Sequence, residues 1–108
     1  MKKPTDFSRI LAAYLTTYLP SLRNVTRNTV SSYCDTFRLL LTFCRDVYGL
    51  KAESLGISDF SPGMIQDFLS WLKNERGNSI STRNQRLAAI RAFFRYAEAE
   101  SPENMLLC

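Results

Sequence analysis

The apolar residues of this chain recur mostly every three or four positions, which places them on one face of an α-helix. Four stretches with this period follow one another, separated by prolines, glycines or polar runs. Their inner stripes are Phe7, Leu11, Tyr14, Leu15 and Tyr18; Val30, Tyr33, Phe37, Leu40, Cys44 and Val47; Ile65, Phe68, Leu69 and Leu72; and Leu87, Ile90, Phe94 and Ala97. No stretch shows the sustained alternation of a β-strand. The pattern predicts an all-α, four-helix bundle-like domain.

Helix boundaries follow from residues that start or stop a helix. Ser, Thr and Asp side chains accept hydrogen bonds from the free N–H groups of a first turn, where proline is also tolerated. Proline elsewhere removes a backbone donor, and glycine readily adopts the left-handed conformation that ends many helices. The predicted starts are Thr5 or Asp6, Ser61 followed by Pro62, and Ser81; the predicted stops are Pro20, Gly49, Gly77 and Pro102. Residues 50–60 are predicted to form a loop.

Two helices carry notable residues outside their inner stripe. Leu39 and Phe43 form a second apolar side on the second helix, which is therefore expected to lie centrally. On the fourth helix, a rotation of about 100° per residue directs Thr82, Gln85 and Ala89 away from the core. That outward face is polar at its start and is a candidate for entry into a groove of a partner.

Length and composition limit the class of protein. With 108 residues, 45% of them apolar and 22% charged, the chain is predicted to be a single domain over residues 1–108. No apolar run approaches the roughly 20 residues that cross a bilayer. The N-terminal residues also lack the apolar region of a secretory signal. We therefore expect no membrane partner and a cytoplasmic location.

Catalytic and metal-binding motifs are missing from the sequence. Cys34 and Cys44 lie on one predicted helix, about 15 Å apart, which is too far for a disulfide bond. The chain has no histidine, no glycine-rich phosphate loop and no nucleophile motif. We expect no catalytic residue, no metal and no cofactor in this chain.

Positive charge is concentrated in two segments. The net charge is only +4, but residues 1–30 and 79–97 contain nine basic residues and a single acid, Asp6. The intervening residues are close to neutral, and the C-terminal end is acidic. Such a polarised distribution favours a polyanionic partner.

The two basic segments contain similar helix starts, at residues 27–33 and 79–87. Both are polar, rich in hydroxyl groups and basic. Helix N-termini present free N–H groups and a partial positive charge, at which the phosphates of DNA can bind. Gln and Arg side chains can also read adenine and guanine edges, and Gln85 and Arg86 occupy the fourth helix one turn further in. Ordinary N-caps on a polar surface are the alternative interpretation.

Residues of the last three predicted helices keep a fixed order and spacing. These residues are Asn28, Thr29, Tyr33, Phe37, Leu40 and Phe43; Ile65, Phe68 and Leu69; and Ser81, Thr82, Leu87, Ile90, Arg91, Phe93, Phe94 and Tyr96. Together they resemble the N-terminal, SAM-like core-binding domain of tyrosine recombinases of the phage-integrase type. The resemblance covers nearly the whole chain, and its specificity lies in the order and spacing rather than in any single residue.

The resemblance implies a four-helix module that clamps one face of a DNA recombination site during integration and strand exchange. In this family a separate C-terminal domain cuts and rejoins the strands through a tyrosine nucleophile. Its signature residues have no counterpart here, so the chain is interpreted as a non-catalytic fragment, with the catalytic domain expected after residue 108. The implied partner is double-stranded DNA, and self-association on DNA is left open.

In such modules the second and fourth helices approach the major groove. The resemblance therefore implies DNA-binding roles for Arg27, Asn28, Thr29, Ser31, Ser32, Ser81, Thr82, Gln85 and Arg86. The side chains of Ser31 and Ser32 are short, so base reading from the second helix is not expected.

Two other classes of function fit the same sequence. A helical protein-interaction module would explain Leu39, Phe43 and Phe93, the last of which is predicted to point outward. A stand-alone DNA-binding regulator would explain the basic helix starts without a recombinase. Salt distinguishes the first class, because phosphate-driven binding weakens steeply as salt rises and an apolar interface does not.

Overall fold

A computed structural model of the protein describes residues 6–100, and all regular secondary structure within that range is helical. The first helix comprises α1 (Asp6–Ala13), a π-helical turn (Tyr14–Tyr18) and α2 (Leu19–Ser21), which follow one another without a break. The second, third and fourth predicted helices are α3 (Arg27–Tyr48), α4 (Pro62–Arg76) and α5 (Ile80–Glu100). The predicted all-α, four-helix fold is confirmed.

Pro20 does not stop the first helix where the sequence predicted. It lies inside α2, and the helix ends one residue later, at Ser21, before Leu22 becomes extended. A proline in a helix lacks an N–H donor, and its ring crowds the carbonyl four residues earlier. The helix widens just before Pro20, where the Leu19 N–H donates to the carbonyl of Tyr14, five residues earlier. Such a π-helical turn changes the hydrogen-bond register ahead of the proline, and the helix continues through it.

Three of the other predicted helix ends, Ser61, Gly49 and Gly77, are confirmed. Ser61 caps α4, since its hydroxyl accepts a hydrogen bond from the Met64 N–H at 3.1 Å. Gly49 and Gly77 end α3 and α4 in the left-handed conformation, with φ of 68° and 63°. Thr5 and Pro102 lie outside the described residues.

Phe93 lies at the centre of the core, and the prediction that it points outward is wrong. Its side chain is fully buried, and its ring packs edge-to-face against Phe7, Tyr14 and Phe37, with centroids 5.8, 5.4 and 5.1 Å away. The reason is that α5 contacts α1, α3 and α4 together. Its buried arc is therefore wider than the single stripe that the apolar spacing indicated.

The wide buried arc of α5 also makes the prediction for a second residue wrong. Ala89, predicted to share the outward face, is buried. Conversely, Val47 belongs to the predicted inner stripe of α3 but is 49% exposed, because it lies in the last helical turn before Gly49. The predicted central position of α3 is confirmed, since Phe43 is fully buried and Leu39 packs against the core.

Residues 50–60 do more than connect α3 to α4. They contain two 3₁₀ turns, Ala52–Ser54 and Ile57–Asp59, and between them Leu55 is completely buried in the core. The carboxylate of Asp6 accepts hydrogen bonds from the N–H groups of Phe7 and Ile57, at 2.7 and 3.3 Å. This side chain joins the start of the first helix to the second 3₁₀ turn.

Candidate nucleic-acid interface

The starts of α3 and α5 are built from the same hydrogen-bonding unit. At α3 the Thr26 hydroxyl accepts from the Thr29 N–H and contacts the Thr29 hydroxyl, both at 3.2 Å. At α5 the Ser79 hydroxyl accepts from the Thr82 N–H at 3.2 Å and donates to the Thr82 hydroxyl at 3.1 Å. Each unit satisfies one of the free N–H groups of its helix start and leaves the polar first turn facing outward.

The fold brings the start of α3 next to α5, one turn after the start of that helix. Asn28, Thr29 and Ser32 of α3 face Gln85 of α5 across a shallow groove, hereafter the α3–α5 groove. Tyr33 and Ala88 complete its lining. Residues more than 50 positions apart in the sequence thus line one groove, in which Asn28, Ser32 and Gln85 are exposed.

Arg86 lies beneath this surface rather than on it. Its side chain is half-buried, and its Nη1 donates to the hydroxyl of Thr36 at 3.0 Å and to the carbonyl of Ser32 at 3.4 Å. Its Nε is buried and has no hydrogen-bond partner among the described residues. The guanidinium therefore bridges α5 to α3 across the core side of the groove.

The remaining predicted DNA-binding residues lie beside the α3–α5 groove. Arg27 and Ser31 are exposed and line a separate apolar hollow with Pro20, Val25 and Val30. Ser81 is exposed in the first turn of α5. Thr82 is half-buried, because its hydroxyl and backbone N–H both bind the Ser79 cap.

Sequence reasoning missed three residues that shape this surface. Ser79, not Ser81, provides the hydroxyl that caps α5, although the spacing Ser79-x-x-Thr82 repeats Thr26-x-x-Thr29 and could have revealed it. Thr36, the partner of Arg86, gave no signal, because a threonine beside an apolar stripe is common. Tyr33 was assigned to the core but is only half-buried and also lines the groove.

Three acidic side chains of the described residues have local partners. Asp35 on the outer side of α3 pairs with Arg38 at 3.5 Å, and Asp46 pairs with Arg45 at 2.9 Å; all four side chains are largely exposed. Asp67 accepts a hydrogen bond from the Tyr48 hydroxyl at 2.7 Å, which raises the pKa of that phenol. No group of His, Cys, Asp or Glu side chains within residues 6–100 is arranged to hold a metal ion.

Two buried groups have raised pKa values, which makes them poor nucleophiles at neutral pH. Burial raises the pKa of the Tyr14 phenol to about 12 and that of the Cys44 thiol to about 11. Burial disfavours the charged form in each case, the opposite of the effect that activates a catalytic nucleophile.

Over residues 6–100, no helix is both long and apolar enough to cross a membrane.

The opposite flank of α5 has a different character. There α5 and α4 enclose a second groove, hereafter the α4–α5 groove, which is mainly apolar. Its lining includes Phe60, Pro62, Ile65, Leu69, Leu87, Ile90 and Phe94, with Ser61, Gln66 and Arg91 as the polar members. Most of the residues that line the groove on the α3 side of α5 are polar, whereas most of those on the α4 side are apolar.

Comparison with known proteins agrees with this architecture. The family of phage integrase N-terminal SAM-like domains matches residues 11–101, which include almost all of the described helices. The chain therefore belongs to this family of integrase N-terminal domains, and the resemblance drawn from the sequence is confirmed.

Two curated relatives from Sinorhizobium fredii strain NGR234 point to the same family. The protein named "Putative integrase/recombinase y4rC" is 36% identical over 104 residues, which cover 96% of this chain and 31% of the relative. The protein named "Putative integrase/recombinase y4rD" is 38% identical over 93 residues, covering 86% of this chain and 33% of the relative. The chain thus spans about a third of the length of these relatives. No solved structure shows a significant match.

Proposed function

We propose that this chain is the DNA-binding domain of a site-specific tyrosine recombinase. In this proposal it clamps the recombination site while a separate catalytic domain, expected after residue 108, cuts and rejoins the strands. The observation that carries the proposal is the α3–α5 groove, where polar residues at the start of α3 meet Gln85, one turn into α5. Membership of the integrase family and the names of the two relatives support the wider recombinase role.

Each part of this surface has a distinct role in the proposed binding. The first turns of α3 and α5 bind DNA phosphates through backbone N–H groups, the hydroxyl of Ser81 and the exposed guanidinium of Arg27, and the Ser31 hydroxyl adds a contact from the next turn of α3. Asn28 and Gln85 carry amide groups that can pair with the edge of an adenine in the major groove. Thr29 and Ser32 shape the α3 wall of the groove, and the caps on Thr29 and Thr82 hold both helix starts in place.

A salt titration tests the proposal directly. Binding of the chain to a fluorescein-labelled duplex of about 30 base pairs, three helical turns, would be followed by anisotropy. Three to four phosphate contacts should lower the affinity by about 40- to 150-fold between roughly 50 and 200 mM salt. Absence of binding at the low end of this range would overturn the proposal. Cooperative binding to a duplex with two sites would reveal self-association on DNA.

We also propose that the chain acts by binding alone and performs no strand cleavage. The raised pKa values of Tyr14 and Cys44 support this, since neither group is activated as a nucleophile. A duplex carrying a nick, which traps covalent recombinase intermediates, should form no covalent adduct with the chain on a denaturing gel. An adduct would show that the chain contains a catalytic nucleophile after all.

The free thiols of Cys34 and Cys44 agree with a cytoplasmic location.

The alternative of a protein-interaction module loses part of its basis in the structure. Phe43 and Phe93, two of the three residues that suggested it, are buried in the core and cannot bind a partner. The stand-alone DNA-binding regulator shares the proposed DNA surface and differs only in lacking a catalytic domain after residue 108. The reading frame of the gene beyond this residue decides between regulator and recombinase.

A further inference from the structure

Arg86 makes a partly buried connection that DNA binding alone does not explain. Its Nη1 reaches from α5 to the Thr36 hydroxyl and the Ser32 carbonyl of α3, and the Thr36 hydroxyl in turn donates to the same carbonyl at 3.1 Å. Thr36 is only 1% exposed and is the one polar residue among the buried side chains of the described range. A buried polar side chain that is fully engaged between two helices fixes their relative position.

We infer that Arg86 and Thr36 are positioning residues that set the separation of the α3 and α5 starts, and thereby hold Asn28 and Gln85 against one DNA surface. This inference rests on the proposed function and names the part of the protein that organises its site. Arg86 acts here through the two helices, and its guanidinium need not touch DNA. This role differs from the direct DNA contact that the resemblance implied for it.

The position of the connection makes it effective. Arg86 directly follows Gln85 in α5, and the Ser32 carbonyl lies one helical turn after Asn28 in α3. The connection therefore joins the two walls of the α3–α5 groove close to the residues that line it. A small change at this point alters the distance across the groove, because both walls are rigid helices.

The acceptors of Arg86 are neutral oxygens rather than a carboxylate. Neither of these acceptors neutralises the positive charge of the guanidinium, which lies near the polar surface. The position of the guanidinium depends on its hydrogen bond to the Thr36 hydroxyl. Removal of that hydroxyl leaves a partly buried donor without its best partner, and the side chain must then move toward water. Such a movement separates the two helices locally without changing the exposed residues of the groove.

Substitutions of Thr36 test the inference, because this residue is too deeply buried to touch DNA. Thr36→Val keeps the shape and removes the hydroxyl, whereas Thr36→Ser keeps the hydroxyl and removes a methyl group from the core. Both changes lower thermal stability, but only Thr36→Val should weaken binding to the labelled duplex, by about 3- to 10-fold. All measurements are made at a temperature where circular dichroism shows each variant to be folded.

Two arginine substitutions complete the experiment. Arg86→Met should weaken binding at least as much as Thr36→Val, and the double variant should be no weaker than Arg86→Met alone. Arg91→Met removes the same charge from the other flank of α5, where Arg91 is exposed, and should bind nearly as the parent chain does. The salt dependence of Thr36→Val should equal that of the parent, since no phosphate contact is lost.

The outcomes separate this inference from the proposed function. If the parent chain binds DNA and Thr36→Val binds equally well, the positioning role is wrong and the DNA surface stands. If Thr36→Ser loses as much affinity as Thr36→Val, core packing and not the hydroxyl matters, and the inference also fails. If the parent chain itself does not bind the duplex, both the proposed function and the positioning role are overturned.

Discussion

The two flanks of α5 belong to the same helix but are lined by different kinds of side chain. Toward α3, the helix is held by a hydrogen-bonded arginine and faces a groove lined by Asn28, Ser32 and Gln85. Toward α4, it packs through apolar side chains around a groove that includes Ile65 and Phe94. Both grooves are open to solvent, but most of the side chains that line the first are polar, whereas most of those that line the second are apolar.

This difference shows why charge alone does not define the proposed interface. Arg86 and Arg91 lie on the same helix and carry the same charge, but Arg86 is engaged with α3 while Arg91 is exposed beside apolar residues. A surface that recognises DNA needs hydrogen-bonding groups fixed by the scaffold in addition to positive charge. The comparison of the flanks can therefore be tested with matched substitutions, one on each side of α5.

The largest effect is expected on stability, from a substitution in the hydrophobic core that lies between the two flanks of α5. Phe93→Ala should lower the free energy of unfolding by about 3 to 5 kcal/mol, because a fully buried ring surrounded by other rings leaves a large cavity. Phe94→Ala, at the half-buried neighbour in the α4–α5 groove, should cost clearly less. Urea denaturation measures both values. Equal losses would show that the two flanks are not distinguished by burial.

The next effect concerns specificity for DNA. Gln85→Ala should reduce the preference for the recombination site by about 1 to 3 kcal/mol, as expected for the loss of an amide contact to a base. Gln66→Ala removes the same side chain from the α4–α5 groove and should leave binding unchanged. Anisotropy titrations with the site and with an unrelated duplex provide the comparison. Equal losses for the two variants would remove the proposed distinction between the flanks.

The apolar spacing predicted the fold well because each helix buries a recognisable stripe. Phe37, Leu40 and Phe68 lie where the period of three and four places them, and Gly49 and Gly77 end helices as expected. The errors on α5 arose because several elements meet there. A one-helix projection cannot show that α5 is covered from three sides, so Phe93 and Ala89 were assigned to the wrong face.

The candidate site was only partly predictable for a similar reason. Local chemistry identified both helix starts, but the sequence gives no distance between residues such as Asn28 and Gln85, which the fold brings to one groove. The role of Thr36 depends wholly on a neighbour 50 residues away, Arg86. Long-range hydrogen bonds of this kind leave no local pattern, since they are set by the packing angle of two helices.

A smaller effect is expected from the helix caps. Ser79→Ala and Ser61→Ala each remove a hydroxyl that accepts from the third N–H of a helix, so each should cost about 1 kcal/mol of stability. Only Ser79→Ala should also weaken DNA binding, because its helix start belongs to the proposed interface. Thermal denaturation and anisotropy are measured on both variants. A loss of binding in Ser61→Ala as well would indicate a general effect of reduced stability.

The smallest effect is expected from single exposed charges, and it separates phosphate contacts from a diffuse field. Arg27→Ala should lower affinity by less than about 1 kcal/mol near physiological salt. It should also reduce the slope of log affinity against log salt by about 0.9, the value for one lost phosphate contact. Arg91→Ala removes the same charge on the α4 side and should leave the slope unchanged, because a distant charge releases no counterion from DNA. If both variants reduce the slope equally, the whole positive field of the domain contributes, and the interface is wider than the α3–α5 groove and its flanking helix starts.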